Sequence, residues 1–204
     1  MRTDGMYISR NSYVRPGVAD LSSSRCHANL IVYFRYYRFF GSGFFLYKTS
    51  PQRPEEVFEQ FAERRGPLHS SRRKQRDNVE KIHEGFYALS SNRVTTQIKY
   101  HYDYGNETVI TTKLALRSTT PGANNRLDIL SIASWNTTDD VNVNILHDES
   151  DGVEIEEDDF AMDRTEPSTK HTRGLNTFTF VPWSMMLSTP LNLPPSKMDF
   201  YLPG

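Results

Sequence analysis

Apolar and polar positions alternate with a period of two in several segments of this chain, most densely in residues 30–49. There Leu-Ile-Val-Tyr-Phe-Arg-Tyr-Tyr-Arg-Phe-Phe runs into Gly41-Ser42-Gly43 and continues as Phe-Phe-Leu-Tyr-Lys-Thr. Two β-branched and aromatic runs split by a glycine turn predict a β-hairpin. Successive strand side chains point to opposite faces. Leu30, Val32, Phe34, Tyr36, Arg38 and Phe40 then share one face, and Ile31, Tyr33, Arg35, Tyr37 and Phe39 the other. Both faces are largely apolar, and each carries one arginine. That is the pattern of a strand covered on both sides, as in the wall of a small barrel or the middle of a sandwich. A charge on so apolar a strand must pair or reach water.

The other elements follow from the same reasoning. Residues 5–14 alternate weakly and predict a first strand, closed by Pro16-Gly17; residues 18–29 read as a loop or helical turn. Pro54-Glu55-Glu56 opens a short helix, since proline suits the first helical position and acids suit the positive end of the helix dipole. Val57, Phe58 and Phe61 share its apolar face, and Arg64-Arg65-Gly66-Pro67 ends it. After a basic loop at 69–81, Gly85-Phe86-Tyr87-Ala88-Leu89 starts another strand. Val94, Thr96, Ile98, Tyr100 and Tyr102 form a dry face that resumes after Gly105-Asn106 with Thr108, Ile110, Thr112, Leu114 and Leu116, a second hairpin. Residues 127–134 predict a strand with Leu127, Ile129 and Ser131 opposed to Asp128, Leu130 and Ile132. Residues 175–183 predict the last one.

Between them the pattern is lost. Residues 136–173 read as a flexible acidic insertion, with eight acids in the twelve residues 148–159, and residues 184–204 as an extended proline-rich tail. The whole of 1–204 reads as a single mainly β domain. The expected fold is an antiparallel β-barrel or strongly curved sheet of about seven to ten strands, lipocalin-like in shape, with one short helix.

Composition narrows the function classes. A net charge of −1 over 204 residues gives no global electrostatic case for nucleic acid or membrane as a partner. The lone Cys26 excludes an internal disulfide, and no apolar run is long enough to span a bilayer. A reducing compartment, the cytosol or the nucleus, is the expected location. The six histidines (27, 69, 83, 101, 147 and 171) show no metal-ligand spacing, so no metal or other cofactor is expected. Cys26 and His27 are sequence neighbours that point apart on a strand, and no nucleophile elbow is present. Gly41-Ser42-Gly43 lacks the helix and lysine of a phosphate loop. Nothing in the residues indicates an enzyme.

Ordered blocks along the chain carry a more specific signal. Arg2-Thr3-Asp4-Gly5-Met6-Tyr7-Ile8-Ser9 and Ser12-Tyr13-Val14-Arg15 come first. Tyr36-Tyr37-Arg38-Phe39-Phe40 with Thr49-Ser50-Pro51 follows, then Gly85-Phe86-Tyr87-Ala88-Leu89 and Pro121-Gly122-Ala123-Asn124-Asn125-Arg126-Leu127-Asp128. Phe178-Thr179-Phe180-Val181-Pro182, Leu191-Asn192-Leu193-Pro194, Lys197-Met198-Asp199 and Tyr201-Leu202-Pro203-Gly204 complete the series. In this order they resemble the C-terminal domain of F-box only protein 9 and its fungal and plant relatives. The resemblance implies a non-catalytic substrate-recognition module of a Skp1–cullin–F-box ubiquitin ligase receptor. It implies protein substrates as partners, with Skp1 and cullin-1 engaged only if the full-length protein has an upstream F-box, since none is expected within residues 1–204. The acidic segment looks longer than the family pattern.

Two alternatives remain at the level of the residues. A closed barrel with aromatic walls holds a small apolar ligand if its interior is hollow. Basic residues interleaved with aromatics at 33–40 serve single-stranded nucleic acid if that face is open. The candidate substrate-binding residues are Arg35 and Arg38, as charges on an aromatic strand, with Arg126 and Trp183 as interface anchors.

Overall fold

The aromatic hairpin forms the wall on which the rest is built. Its strands are β2 (Ala28–Phe39) and β3 (Phe44–Ser50), preceded by β1 (Gly5–Pro16). Helix α1 (Pro54–Ala62) follows, then β4 (His83–Ser90), β5 (Arg93–His101), β6 (Glu107–Arg117) and β7 (Arg126–Thr137). A two-residue β8 (Thr169–Lys170) and β9 (Phe178–Pro182) lead into two 3-10 turns, Trp183–Met185 and Pro190–Asn192. This computed structural model describes residues 1–16, 28–64, 82–101, 107–137, 169–170, 175–194 and 197. Among them no helix is long and apolar enough to cross a membrane.

All pairings are antiparallel. The hydrogen-bonded order β6-β5-β4-β3-β2-β1-β9-β7 returns to its start through a β6–β7 ladder, closing eight strands into a barrel. Strand β8 pairs with Ala133 and Ser134 farther along β7. The fold is therefore the antiparallel barrel with one short helix that the alternation predicts.

The two faces of β2 go where the alternation sends them. Tyr37 and Phe39 point inward with Tyr7, Phe45, Val94, Leu114, Leu127, Phe178 and Phe180, which fill the barrel. Phe34 and Tyr36 point outward with Met6, Ile8, Phe44 and Leu46, beneath Val57 and Phe61 of α1 and Met186 of the tail. A side chain of this size contributes roughly 1.5–3 kcal/mol when fully buried. The strand is thus held from both sides, by the interior and by a helix-and-tail layer.

Three polar anchors hold α1 on the sheet. Asn192 accepts from the first-turn N–H of Glu55 (3.0 Å) and donates to the Met186 carbonyl (2.9 Å), so the tail caps the helix N-terminus. In the middle, the buried Lys48 ammonium donates to the side-chain oxygens of Gln52 (3.2 Å) and Gln60 (3.0 Å). At the far end Arg38 donates to the carbonyls of Phe61 and Arg64, where the helix dipole is negative.

Several expectations need correction. Ala28 and Asn29 belong to β2, paired with Pro16 and Arg15, because the β1–β2 ladder runs past its neighbours. Asn136 and Thr137 extend β7, and Thr169–Lys170 forms β8, so regular pairing reaches into the segment read as patternless. The strict alternation over 127–134 is broken by a bulge: Leu114 faces Ile129, but Lys113 faces Ser131. The extra residue puts Leu130 out in solvent, 52% exposed, and turns Ile132 to the side of Ile129. The last strand is shorter than residues 175–183, with Trp183 already in a 3-10 turn. The tail lies on the outside of the sheet as expected, but in 3-10 turns instead of an extended run, because Pro190 and the Thr189 hydroxyl start a turn at Leu191. Cys26, His27, the basic loop at 69–81, the turn at 105–106, the acidic residues 148–159 and the tail beyond Lys197 lie outside the described residues.

Candidate functional site

The two halves of the barrel interior differ. The half next to the N-terminus is plugged. Tyr7 donates its phenolic proton to the Asn124 carbonyl of the β6–β7 connection (2.6 Å), and the Arg2 N–H donates to the same phenol (3.2 Å). Met1 packs against the inner cluster, and the Arg2 guanidinium sits 4.0 Å from the Phe180 ring centroid. Tyr87 closes the β2–β3 turn by donating to the Phe40 carbonyl (2.7 Å), edge-on to Phe39 with centroids 4.9 Å apart.

The other half leaves a cavity of about 90 Å³. Strand β2 contributes Arg35 and Tyr37, and β3 contributes Tyr47. Strand β5 adds Ile98 and Tyr100, and β6 adds Ile110 and Thr112. Ile129 and Ile132 of β7 with Phe178 of β9 complete it. These positions follow from parity: Tyr37 faces Tyr47 across one ladder, and Ile98 faces Ile110 across another. The β7 bulge is what allows Ile129 and Ile132, three apart in sequence, to line one space.

The polar chemistry of the cavity is sparse and well defined. Burial, reinforced by the Tyr47 phenol, raises the Tyr37 hydroxyl above its ordinary value, and hydrogen bonds with Thr112 and Thr96 offset only part of this. Burial likewise raises Tyr47, against the opposing charge of Arg35 and a hydrogen bond with Thr49, whose hydroxyl is 2.7 Å away. Both phenols are therefore protonated at neutral pH. Arg35 is the one charged side chain among the described lining residues, and its guanidinium lies 5.8 Å from the Tyr33 ring centroid. The described lining has no carboxylate, imidazole or thiol. Among the described residues no group of three or more His, Cys, Asp or Glu is placed to hold a metal ion.

The four candidates from sequence end up in three places. Arg35 lines the cavity. Arg38, on the opposite face of the same strand, meets Trp183: its guanidinium lies 4.4 Å from the Phe40 ring centroid and 5.1 Å from that of Trp183, under the C-terminal end of α1. Trp183 also donates its backbone N–H to the Asp4 carbonyl (3.1 Å). Arg126 lies at the start of β7, half-exposed, hydrogen-bonded to Asp128 (2.8 Å) and Thr177 (3.2 Å). Only Arg35 shares a site with the cavity residues. Tyr47, Tyr100 and the isoleucines escaped sequence reasoning; the parity of β3 against β2 carried the signal for Tyr47, and the dry face of β5–β6 carried it for Tyr100 and Ile110.

The odd-numbered face of β2, the candidate stacking platform for single-stranded nucleic acid, is turned into the barrel, where Tyr37 is only 3% exposed. In comparison with known proteins, the family model described as F-box only protein C-terminal region covers residues 1–204, the whole chain. No solved structure matches.

Proposed function

Because the chain belongs to the family of F-box only protein C-terminal regions, we propose that it is the substrate-recognition module of a Skp1–cullin–F-box ubiquitin ligase receptor. The module acts by holding a target in position while a separate ligase component transfers ubiquitin. It does no chemistry of its own, and it works in the cytosol or the nucleus. The observation that carries this reading is the extent of the family match, from the first residue to the last. The barrel architecture supports it: among the described residues, a closed wall bears a recess that suits binding. The small-ligand carrier is the weaker reading, since such sites occupy roughly 300–1,000 Å³ and the interior here is mostly filled, with about 90 Å³ remaining.

The test uses the longest native in-frame product of the gene, with and without residues 1–204. Both forms are expected to co-precipitate Skp1 and cullin-1, and the set of ubiquitinated proteins that depends on the receptor is expected to vanish with the deletion. A full product that fails to bind Skp1, or a ubiquitinated set unchanged by the deletion, overturns the proposal.

A further inference from the structure

We propose that the outer wall of β6 and β7, beside the connection between them, is a docking surface for an extended acidic segment of a partner polypeptide. The proposal rests on the substrate-recognition reading and names a class of target. Charge is segregated along the chain. Strands β5, β6 and β7 carry Arg93, Lys99, Lys113, Arg117 and Arg126 against Glu107 and Asp128, whereas the whole chain has a net charge of −1. Parity puts the excess on one face. Leu114, Leu116 and Leu127 lie inside the barrel, so Lys113, Arg117, Arg126 and Asp128 point outward. Arg117 faces Arg126 directly across the ladder, a like-charged pairing that costs stability. Asp128 lies between them, 2.8 Å from Arg126 and 3.7 Å from Arg117, and one carboxylate balances only one of the two. Their side chains are 63% (Arg117) and 50% (Arg126) exposed. Lys113 is exposed and forms no ion pair. Arg93 faces the same side but is already engaged and is not counted.

Spacing and chemistry favour a polypeptide. Lys113 and Arg117 are four residues apart on one strand, about 13 Å at roughly 3.3 Å per residue. Carboxylates four residues apart on an extended segment have the same separation, and the residue midway between them points the same way. The β7 bulge presents Leu130, 52% exposed, next to Ser131, the cross-strand partner of Lys113. An aliphatic side chain of the segment covers it there. Residues 93–95, 113–117 and 126–131 include no aromatic, so nucleic-acid bases find no stacking platform among them.

The experiment is calorimetric titration of the whole chain at low salt with three probes. These are a short peptide with glutamate at alternate positions and a central leucine in the same register, the same peptide with glutamine for glutamate, and an oligothymidylate of matching length. The glutamate peptide is expected to bind at least about tenfold more tightly than the glutamine peptide and to lose that margin at high salt. Lys113→Glu and Arg117→Glu each weaken it at least about fivefold, and Leu130→Ser weakens it about threefold. Arg15→Glu, an exposed reversal at the end of β1, is the charge-matched control and leaves binding within about twofold. Circular dichroism melts confirm that each variant folds; if Arg117→Glu, which faces Asp128, does not, Lys113→Glu decides. Equal binding of the two peptides, no binding of either, tighter binding of the oligothymidylate, or wall variants that behave like Arg15→Glu overturns the inference. Binding that emerges only after the acids of residues 148–159 are replaced by their amides assigns the wall to the chain itself and overturns the partner. A receptor whose ubiquitinated set vanishes on deletion of residues 1–204 but survives Lys113→Glu with Arg117→Glu overturns this inference only. Loss of Skp1 binding by the full product overturns the receptor assignment instead.

Discussion

The Arg38 guanidinium lies 5.1 Å from the ring centroid of Trp183, and it donates to the Arg64 carbonyl at 2.6 Å. One side chain thus joins the aromatic strand, the end of α1 and the start of the tail. Arg38→Ala is expected to destabilise the domain by about 2–3 kcal/mol, from lost charged hydrogen bonds and a lost cation–π contact. Arg38→Lys recovers less than half, because an ammonium cannot span two carbonyls and stack on a ring. Urea unfolding followed by tryptophan fluorescence checks both; a loss below experimental error for Arg38→Ala would show that the helix end is held by other means.

Gly85 has no room for a side chain. A Cβ there would collide with the Gln97 carbonyl oxygen and come within 2.8 Å of the Phe45 ring. Backbone cannot yield as a flexible side chain does, so Gly85→Ala is expected to cost upwards of about 3 kcal/mol or to abolish soluble expression. Gly41→Ala, in the β2–β3 turn with open space around it, is the matched control and leaves the melting temperature within about 2 °C of the parent. Thermal denaturation of the pair separates the two outcomes.

Alkaline titration reports on the buried phenols. Burial pushes Tyr7 up to about 12 from its ordinary value of 10.0, and it raises Tyr36 and Tyr37 as well. The unfolded chain releases these protons near pH 10 while the folded chain holds them, so stability is full below pH 10 and falls as pH rises towards 12 and beyond. The urea midpoint is expected to drop across that window. Phenolate absorbance of the folded protein should lag behind that of the unfolded protein, and Tyr37→Phe should make the drop shallower. Coincident titration curves for the two states would refute this.

Arg126 offers a contrast with Arg38. It is half-exposed and shares Asp128 with Arg117 (3.7 Å) and the Thr177 hydroxyl (3.0 Å). Arg126→Ala is expected to cost less than about 1 kcal/mol, as exposed pairs do. Asp128→Ala is expected to cost more, because it removes the acceptor common to all three donors. A double-mutant cycle over Arg126 and Asp128, repeated at high salt, measures the coupling and its screening.

Much of this architecture was legible from side-chain period alone. The faces of β2 separate as alternation requires, since one-residue slips would have turned Arg38 into the barrel and Tyr37 out of it. The α1 face of Val57 and Phe61 and the dry face of β5–β6 were equally readable, because each pattern has a polar counterpart. The β7 bulge was not readable. Ile129, Leu130, Ser131 and Ile132 alternate plausibly in either register, and a bulge is decided by what the partner strand β6 presents. Closure of the barrel depends likewise on the long-range pairings of β9 with β1 and β7, which no local window contains. For the site, Arg35 stood out as a charge in an apolar run. Tyr47 did not, because in β3 nearly every neighbour is aromatic or aliphatic too. Whether an arginine on β2 met a cavity or a helix end depended on parity, and the sequence marked Arg35 and Arg38 alike.

The plug formed by Met1, Arg2, Tyr7 and Asn124 also fixes a direction. Polypeptide attached ahead of Met1 departs from the plugged pole, and the recess beside Arg35 opens into the opposite half of the barrel. At about 3.3 Å per strand residue, the separation is on the order of 15 Å along the wall. The two poles of the barrel are thus chemically distinct, one closed by the chain's own N-terminal residues and the other lined by Arg35 and the phenols of Tyr37 and Tyr47.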